Sequence, residues 1–460
     1  MNYDESVRAL MALGRELAAP QQARVQKFGL ANVAALAEAL GNPHRASPCA
    51  HIAGTNGKGS TAAMLDSILH AAGLRTGLYT SPHLERINER IRIDGHDIPD
   101  QDFAVAWTRV QAAIESLLAA SKLAAHPTYF ECITTMAFVA FAALDSQPVD
   151  FAVYEVGLGG RLDATNIIAP EVAVITSIDF DHENFLGYSI EEIAAEKAGI
   201  IKPGAWVVSS AERPEARAVI ARRCRDLDAR LVEVDTAWKI EEVHSSDGCY
   251  RAVVTPTHSH KELSVEPPLP GRFQIRNALA AATAARLLAE RGFPLDDEAI
   301  ARGIRTVRWP GRLERLGNRP AVYLDGTHNP SGARELLKFW EENFQGRRVL
   351  LVYGAMRDKA VDEIAGLLFP HADFVVLTEP RQPRAISAPL LAEMTAHLAK
   401  DSAIVPDPAE ALERAIAMAS PDDAVFATGS LYLVGDLRSY WARRATTKVT
   451  TLPTSDSRKS

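Results

Sequence analysis

The chain has 460 residues, with 50 Lys and Arg against 58 Asp and Glu, a formal net charge of −8, and 47% hydrophobic and 7% aromatic residues. This ordinary globular composition excludes disordered, collagenous and disulfide-scaffold proteins, and the length calls for roughly two to four domains. The acidic balance argues against phosphate-backbone binding, so neither nucleic acid nor an anionic membrane is expected as a partner. In chain order, MNYDESVRAL shows no basic region followed by an apolar run, so no secretory signal is read and the cytoplasm is expected. Short apolar runs then alternate with longer helical patterns, as in α/β units around a mostly parallel sheet. The first series of expected strands is CAHIA (49–53), FAVYEV (151–156), VAVITSI (172–178) and AWVVSS (205–210). The apolar run CITTMAFVAFAAL (132–144) lies between Glu131 and Asp145, is too short for the ~20 residues of a membrane span, and reads as a buried helix.

A second series follows residue 311: AVYLD (321–325), RVLLVY (348–353), DFVVL (373–377) and AVFAT (424–428). Between the series, PPLPG (267–271) and WPGR (309–312) carry Pro and Gly punctuation, and the boundary is placed near Pro310. The expected organisation is a domain over 1–309, a smaller α/β domain over 310–445, and a frayed polar tail over 446–460. Cys49, Cys132, Cys224 and Cys249 are scattered without a C-x-x-C pair, so they read as buried thiols rather than a zinc site or disulfide framework.

After CAHIA comes GTNGKGST (54–61), followed by a helical pattern with Met64, Leu65, Ile68 and Leu69 on one face and Gly73 at its end. Strand, glycine loop, lysine and hydroxyl, helix is the arrangement that cradles phosphates. Glycines admit the anion to backbone N–H groups, the helix N-terminus adds its positive dipole end, and Lys58 neutralises terminal phosphate charge. Ser60 or Thr61 can reach a metal or a phosphate oxygen. The spacing departs from G-x-x-x-x-G-K-[ST], because Ile52 stands five before Gly57 and Gly59 separates Lys58 from Ser60.

Glu155 is the polar end of the FAVYEV strand, directly before GLGGRLDATN (157–166), at the strand end that faces the ligand crevice in an open α/β sheet. Pairing with a basic neighbour is the alternative role for it. His182 follows VAVITSI among Asp179, Asp181 and Glu183, where an acidic capping turn is the competing reading. Ser189 and Glu192 form an S-x-x-E capping box for a helix to about Ala198, with Gly199 as its stop. Ile190, Ile193, Ala194 and Lys197 share one face, so Lys197 either snorkels toward the helix C-terminus or is buried. Burial favours a neutral amine, which can be converted to an anionic, metal-ligating carbamate.

These residues resemble the folylpolyglutamate synthase and dihydrofolate synthase family, within the Mur-ligase-type ATP-dependent amide ligases. The likeness runs from about residue 25 to about 438 and rests on AGTNGKGST (53–61), TSPHL (80–84), TYFE (128–131), EVGLGGRLDATN (155–166), SIDFDH and EKAGIIKPG within 177–204, FQIRNALAA (273–281), PGRLE (310–314), LDGTHNP (324–330), GAMRDK (354–359) and TGSLYLVG (428–435). It implies a P-loop ATPase-like N-terminal domain with a mostly parallel sheet and a smaller Rossmann-like C-terminal domain. It also implies ATP as co-substrate and two Mg2+ ions.

By resemblance, Gly57, Lys58, Gly59 and Ser60 wrap the ATP phosphates; Ser81, Glu155 and His182 bind Mg2+; and Lys197 is a carbamylated lysine supporting a second ion. Asn277, Arg312 and Asp325 hold ATP, the last two from the far side of an interdomain cleft, and His328 lies where the incoming glutamate is ordered. Thr128, Phe130 and Glu131 match a bacterial pterin-site motif, together with Leu162, Asp163, Ala164 and the loop Gly29–Leu30; a helix N-terminus after Pro127 is the structural alternative for the first group. The implied chemistry transfers the γ-phosphoryl group to a pterin carboxylate, and L-glutamate attacks the acyl phosphate. The expected substrates are dihydropteroate and reduced folates, and the expected state is a monomer. A monofunctional folylpolyglutamate synthase, a peptidoglycan Mur ligase and a non-catalytic P-loop module are the alternatives.

Overall fold

The computed structural model describes residues 1–14, 29–123, 125–144, 147–258 and 261–450. Two units divide the chain, Met1–Trp309 and Pro310–Ser460. Among the described residues, the main sheet of the first unit has eight strands: β1 (Cys49–Ala53), β2 (Thr76–Tyr79), β3 (Ile91–Ile93), β4 (His96–Asp97), β5 (Phe151–Glu155), β6 (Val172–Ile175), β7 (Trp206–Ser209) and β8 (Arg230–Glu233). Their order is β4-β3-β2-β5-β1-β6-β7-β8, parallel from β2 to β8 with β3 and β4 added antiparallel at one edge.

Alternation along the strands sends Phe151 and Val153 into one core with Ala50, Ile52 and Val174, while Ala152 and Tyr154 face a second core built around Phe103 and Phe138. Both faces are covered, which is why these strands read as continuous apolar runs. The chain leaves β1 toward the β5 side and later returns to place β6 on its other side. That makes the carboxyl end of β1 a topological switch point, where open α/β sheets bind ligands. The run 132–144 falls within the buried helix Tyr129–Ala143, apart from Leu144, its C-cap.

A three-stranded antiparallel sheet, β9 (Trp238–Ser246), β10 (Cys249–Pro256) and β11 (Leu263–Val265), was not expected from the sequence. β9 is exposed over its whole length after Trp238, so it lacks an apolar run, whereas β10 buries Tyr250, Ala252 and Val254. Its turn is Asp247–Gly248, both at positive φ, as a two-residue type I′ hairpin requires. Asp94–Gly95 makes the same turn between β3 and β4.

In the second unit, β12 (Glu314–Asn318), β13 (Ala321–Leu324), β14 (Val349–Tyr353), β15 (Phe374–Leu377), β16 (Ser402–Ile404) and β17 (Ala424–Thr428) lie in the order β12-β13-β17-β14-β15-β16. Only β12 is antiparallel. Tyr323 stacks on Phe426 at 5.0 Å, and Phe339 and Phe344 close around them. The last helix, Leu431–Thr450, continues past residue 446, where fraying was expected, because Ala442, Arg443 and Arg444 ahead of that point favour helix. Residues 451–460 of that tail lie outside the described residues. No described helix is long and apolar enough to cross a membrane.

The helix Asp297–Thr306 packs directly on Lys58–Ala71, the helix that follows the glycine loop. A Cβ on Gly303 would stand 2.4 Å from the Ile68 Cα and 2.6 Å from its backbone nitrogen. Since two helix backbones would have to separate, Gly303→Ala is expected to lower the unfolding free energy by about 1–3 kcal/mol. Urea titration checks this, and an unchanged midpoint refutes the contact.

Candidate active site

Gly57 caps the helix Lys58–Ala71 in the left-handed region, φ +84°, which glycine adopts without strain. At Gly54 a Cβ would stand 1.8 Å from Thr176 Oγ1. The loop is tied to the segment after β6: the Thr55 N–H donates to the Ser177 carbonyl at 2.7 Å, and the Thr176 and Ser177 hydroxyls donate to the Asn56 carbonyl at 2.7 and 3.1 Å. From the other side, Asn277 Oδ1 lies 2.3 Å from where a Gly57 Cβ would be, and the Trp309 ring lies 2.9 Å from that position on Gly59. Gln274, fully buried, donates from Nε2 to Ser60 Oγ at a long 3.5 Å and accepts from Asn277 Nδ2 at 2.9 Å. The helix N-terminus at this cradle favours an anion.

The Gly54 carbonyl accepts from two ammonium groups, Lys58 Nζ at 3.0 Å and Lys197 Nζ at 2.8 Å; Lys58 also donates to the Thr55 carbonyl at 3.0 Å. Lys197 sits on the helix Ile190–Ala198, whose expected capping box is formed by Ser189 and Glu192. It does not snorkel, since it is 4% exposed and its head group is bonded inside. Burial first, and the Lys58 charge second, push its ammonium down to about 7, while Asp181 acts in the opposite sense. Gly199 ends this helix, but with an ordinary φ of −62°. Glycine is needed there for close approach instead, because a Cβ would meet the Arg161 Cβ at 2.4 Å.

Glu155, 4% exposed, ends β5 beside Ile52 of β1, and its Oε2 accepts the Ser81 N–H at 3.1 Å. The structure therefore brings Ser81 and Glu155 together. His182, at φ +52°, is held by Asp181, whose Oδ1 accepts the His182 N–H at 2.9 Å and lies 3.7 Å from the ring Nε2. Among the described residues, no three His, Cys, Asp or Glu side chains gather as a metal cluster. A buried carboxylate oriented by a backbone N–H, next to a serine hydroxyl, is a fitting oxygen donor set for Mg2+, which takes few protein ligands and keeps waters and phosphate oxygens.

The TYFE segment begins the helix Tyr129–Ala143 with a complete capping box: the Thr128 N–H donates to Glu131 Oε2 at 2.7 Å and the Glu131 N–H to Thr128 Oγ1 at 3.3 Å. Thr128 and Glu131 are thus engaged as the structural alternative expects, and burial raises the Glu131 carboxyl above its ordinary value. Phe130 is 40% exposed and approaches Gly157, as do Ser81 and Asp163. Leu30, with Gly29 exposed before it, packs with Ala164 and Tyr129 in one core. Leu162 is half-buried beside Asp163.

Asp163 is spent on its own loop. Oδ2 accepts the Gly157 and Leu158 N–H groups, each at 3.0 Å, and Oδ1 accepts the Thr165 N–H at 3.0 Å and hydroxyl at 2.5 Å. With its hydroxyl proton committed, Thr165 accepts from His51 Nε2 at 2.8 Å, so the fully buried His51 carries its proton on Nε2; burial lowers it to about 3 and keeps it neutral.

In the second unit, Asp325 accepts the Leu313 N–H at 2.9 Å and the Thr327 N–H at 3.0 Å, joining the PGRLE and DGTHNP segments. Arg312 Nη1 donates to the Gly311 carbonyl at 3.0 Å, and His328 Nδ1 donates to the Gly326 carbonyl at 2.7 Å. Arg312 also stands 2.8 Å from where a Gly326 Cβ would be.

Residues 52–285 match the Mur ligase middle domain, and residues 311–431 match the Mur ligase glutamate ligase domain. The chain is 35% identical over 414 residues to the dihydrofolate synthase/folylpolyglutamate synthase of Bacillus subtilis, covering 90% of this chain and 94% of the relative. The chain belongs to the dihydrofolate synthase/folylpolyglutamate synthase family of Mur ligases. A solved structure of Mycobacterium tuberculosis folylpolyglutamate synthase, complexed with ADP and AMPPCP, has a TM-score of 0.85 at 33% identity, covering 95% of this chain and 99% of that one. The chain spans about half the length of a Halobacterium salinarum relative named as a probable bifunctional folylpolyglutamate synthase/dihydropteroate synthase, at 37% identity over 451 residues, 96% of this chain and 52% of the relative.

Within this family member, Gln274, Thr176 and His51 were not singled out from sequence. A polar residue inside an otherwise apolar strand was the available signal for His51. Gln274 and Thr176 give no local signal, because their partners are far off in the chain.

The buried amine has a pH signature. An unfolded Lys197 holds its proton to its ordinary 10.5, while the native one loses it at about 7, so the unfolded state binds more protons between these values and stability rises with pH across that window. Lys197→Met removes this dependence. Its unfolding free energy relative to the parent is expected to grow as the pH falls from about 10 to about 7, with bicarbonate excluded and urea titrations as the readout. A difference constant across the window refutes the buried neutral amine.

Proposed function

We propose that the chain is an ATP-dependent ligase that joins L-glutamate to 7,8-dihydropteroate and to reduced folates through an acyl-phosphate intermediate. The observation that carries this reading is the meeting of Lys58 and Lys197 on the Gly54 carbonyl, in a glycine loop at the switch point, with Glu155 and Ser81 paired on the neighbouring strand ends. A carboxylate is a poor electrophile and has to be activated before an amine can attack it. Phosphoryl transfer depends mainly on positioning and on neutralising charge. Gly57, Gly59 and Ser60 offer the cradle, and Lys58, now folded onto two carbonyls, has phosphate oxygens as its stronger partners.

Ser81, Glu155 and His182 are the residues proposed to hold Mg2+, which neutralises phosphate charge when bound. Lys197 is suited to carbamylation because its amine is neutral near pH 7, and the carbamate is proposed to support a second ion. Asn277, Arg312 and Asp325 are assigned to ATP and His328 to glutamate. For Asp325 and Asp163 the reading is one of positioning, since both carboxylates accept from backbone N–H groups of their own loops. Leu30, Phe130, Leu162 and Ala164 are proposed to line the pterin site. Cys49, Cys132 and Cys224 are buried thiols as expected, whereas Cys249 is half-buried; their chemistry agrees with a reducing, cytoplasmic setting, and a monomer is proposed.

One observation favours a second reading, a monofunctional folylpolyglutamate synthase. Thr128 and Glu131 are fully accounted for as a helix cap, so TYFE does not by itself require dihydropteroate. ATP-dependent glutamate incorporation is expected with both dihydropteroate and tetrahydrofolate, and turnover with tetrahydrofolate alone selects the second reading. Lys197→Ala is expected to lower kcat by about 100-fold or more, the scale of losing one charge-stabilising group at a phosphoryl-transfer site. Full activity of that variant at low bicarbonate would sink the carbamate.

A further inference from the structure

Arg90 closes the short helix Ile87–Arg90 just ahead of β3 and is 3% exposed. Its backbone carbonyl accepts the Thr80 N–H at 3.1 Å, which fixes it beside Ser81. The side chain is held on one edge only: Nε donates to His83 Nδ1 at 2.9 Å, so that nitrogen is the unprotonated one. Nη1 is buried without a hydrogen-bond partner, and among the described residues no ion pair joins the guanidinium to a carboxylate. A buried cation without an anion is costly, by several kcal/mol. A bland explanation, a snorkelling arginine at the surface, is incompatible with the 3% exposure.

What surrounds the guanidinium gives it a direction. It lies 5.5 Å from the Tyr129 ring centroid and 5.7 Å from that of Phe130, and those rings meet edge to face. Phe130 keeps 40% of its surface open and reaches the Gly157 backbone, around which Ser81 Oγ and Asp163 also gather. Arg90 therefore stands between an open aromatic face, suited to a conjugated ring, and the Ser81–Glu155 pair. A planar guanidinium with a vacant edge matches the two oxygens of a carboxylate.

We propose that Arg90 forms an anion subsite that receives the carboxylate of the aromatic acid substrate and so sets the end of the substrate that reaches the phosphate loop. This rests on the reading of the chain as a pteroate and folate ligase. His83 acts as the positioning residue that holds the guanidinium edge-on.

The test is calorimetric binding of dihydropteroate and of its neutral carboxamide, with a non-transferable ATP analogue present, to the full chain and to Arg90→Met and Arg90→Lys. Arg90→Met is expected to weaken dihydropteroate by about 10- to 100-fold, the range for a hydrogen bond to a charged group, and to leave the carboxamide and the ATP analogue unchanged. Arg90→Lys keeps the charge without the fork and is expected to recover part of the loss. Equal weakening of both pterins in Arg90→Met, or of neither, overturns the subsite, as does a full chain that binds the carboxamide as tightly as the acid. If the full chain binds neither pterin while still binding the ATP analogue, the ligase reading itself falls and the subsite with it. A Met variant that unfolds early leaves Arg90→Lys to decide: no loss of preference for the acid would then refute the fork geometry.

Discussion

Two ammonium groups share one backbone oxygen, and the phosphate loop is organised around that constraint. Lys58 and Lys197 both donate to the Gly54 carbonyl, at 3.0 and 2.8 Å, in surroundings that exclude most water. Like charges so close repel more strongly as the local dielectric falls. The fold tolerates the pair because one member, Lys197, is displaced toward its neutral form, at about 7. Either an anion near Lys58 or a negative group made on Lys197 relieves the repulsion.

That arrangement needs a loop that does not move, and three separate parts of the first unit hold it. Thr176 and Ser177 bind its carbonyls, Asn277 presses on Gly57, and Trp309 presses on Gly59. Any side chain on Gly54 would collide with Thr176, so the glycine serves contact as much as conformation. Aspartates supply the same rigidity elsewhere. Asp163 gathers the 157–165 loop and Asp325 joins two segments of the second unit, each by accepting N–H groups at the carboxyl end of a strand. Both are most simply scaffolds for their own loops. Their conversion to asparagine would remove acceptor capacity without changing shape, which separates scaffold from reagent.

Expected strands in both units match observed ones to within one to three residues, because strands buried on both faces carry their apolar signal in every residue. Signals confined to a few neighbouring residues were legible too: the Ser189–Glu192 box and the stop at Gly73, which has φ +87°. What was missed divides by cause. β9 is too exposed to show a pattern, although the Asp247–Gly248 turn announced a hairpin. Gly199 was read for conformation when its real constraint is Arg161, packed against it from another loop. His51 meets Thr165, 114 residues away, and Arg90 meets the rings of Tyr129 and Phe130. Such pairings exist only after the sheet order has brought distant strand ends together, so no local window contains them.

The net charge of −8 describes the exterior and not this end of the sheet. Lys58, Lys197 and Arg90 all lie at the carboxyl ends of parallel strands or just beyond them, with little exposure for the last two. At physiological salt, charges more than about 8 Å apart through solvent are largely screened, whereas buried ones are screened far less. An acidic surface therefore costs an anionic substrate little during approach, and the field it meets on arrival is set by the few cations inside. Those groups were placed by topology: β5 is inserted between β1 and β2, which are consecutive in sequence, and the ends of these strands bring Lys58, Arg90 and the Glu155–Ser81 pair onto one edge. A chain of opposite net charge with the same strand order would present nearly the same local field to a phosphate, which is why charge balance excludes extended polyanions as partners without excluding a small one.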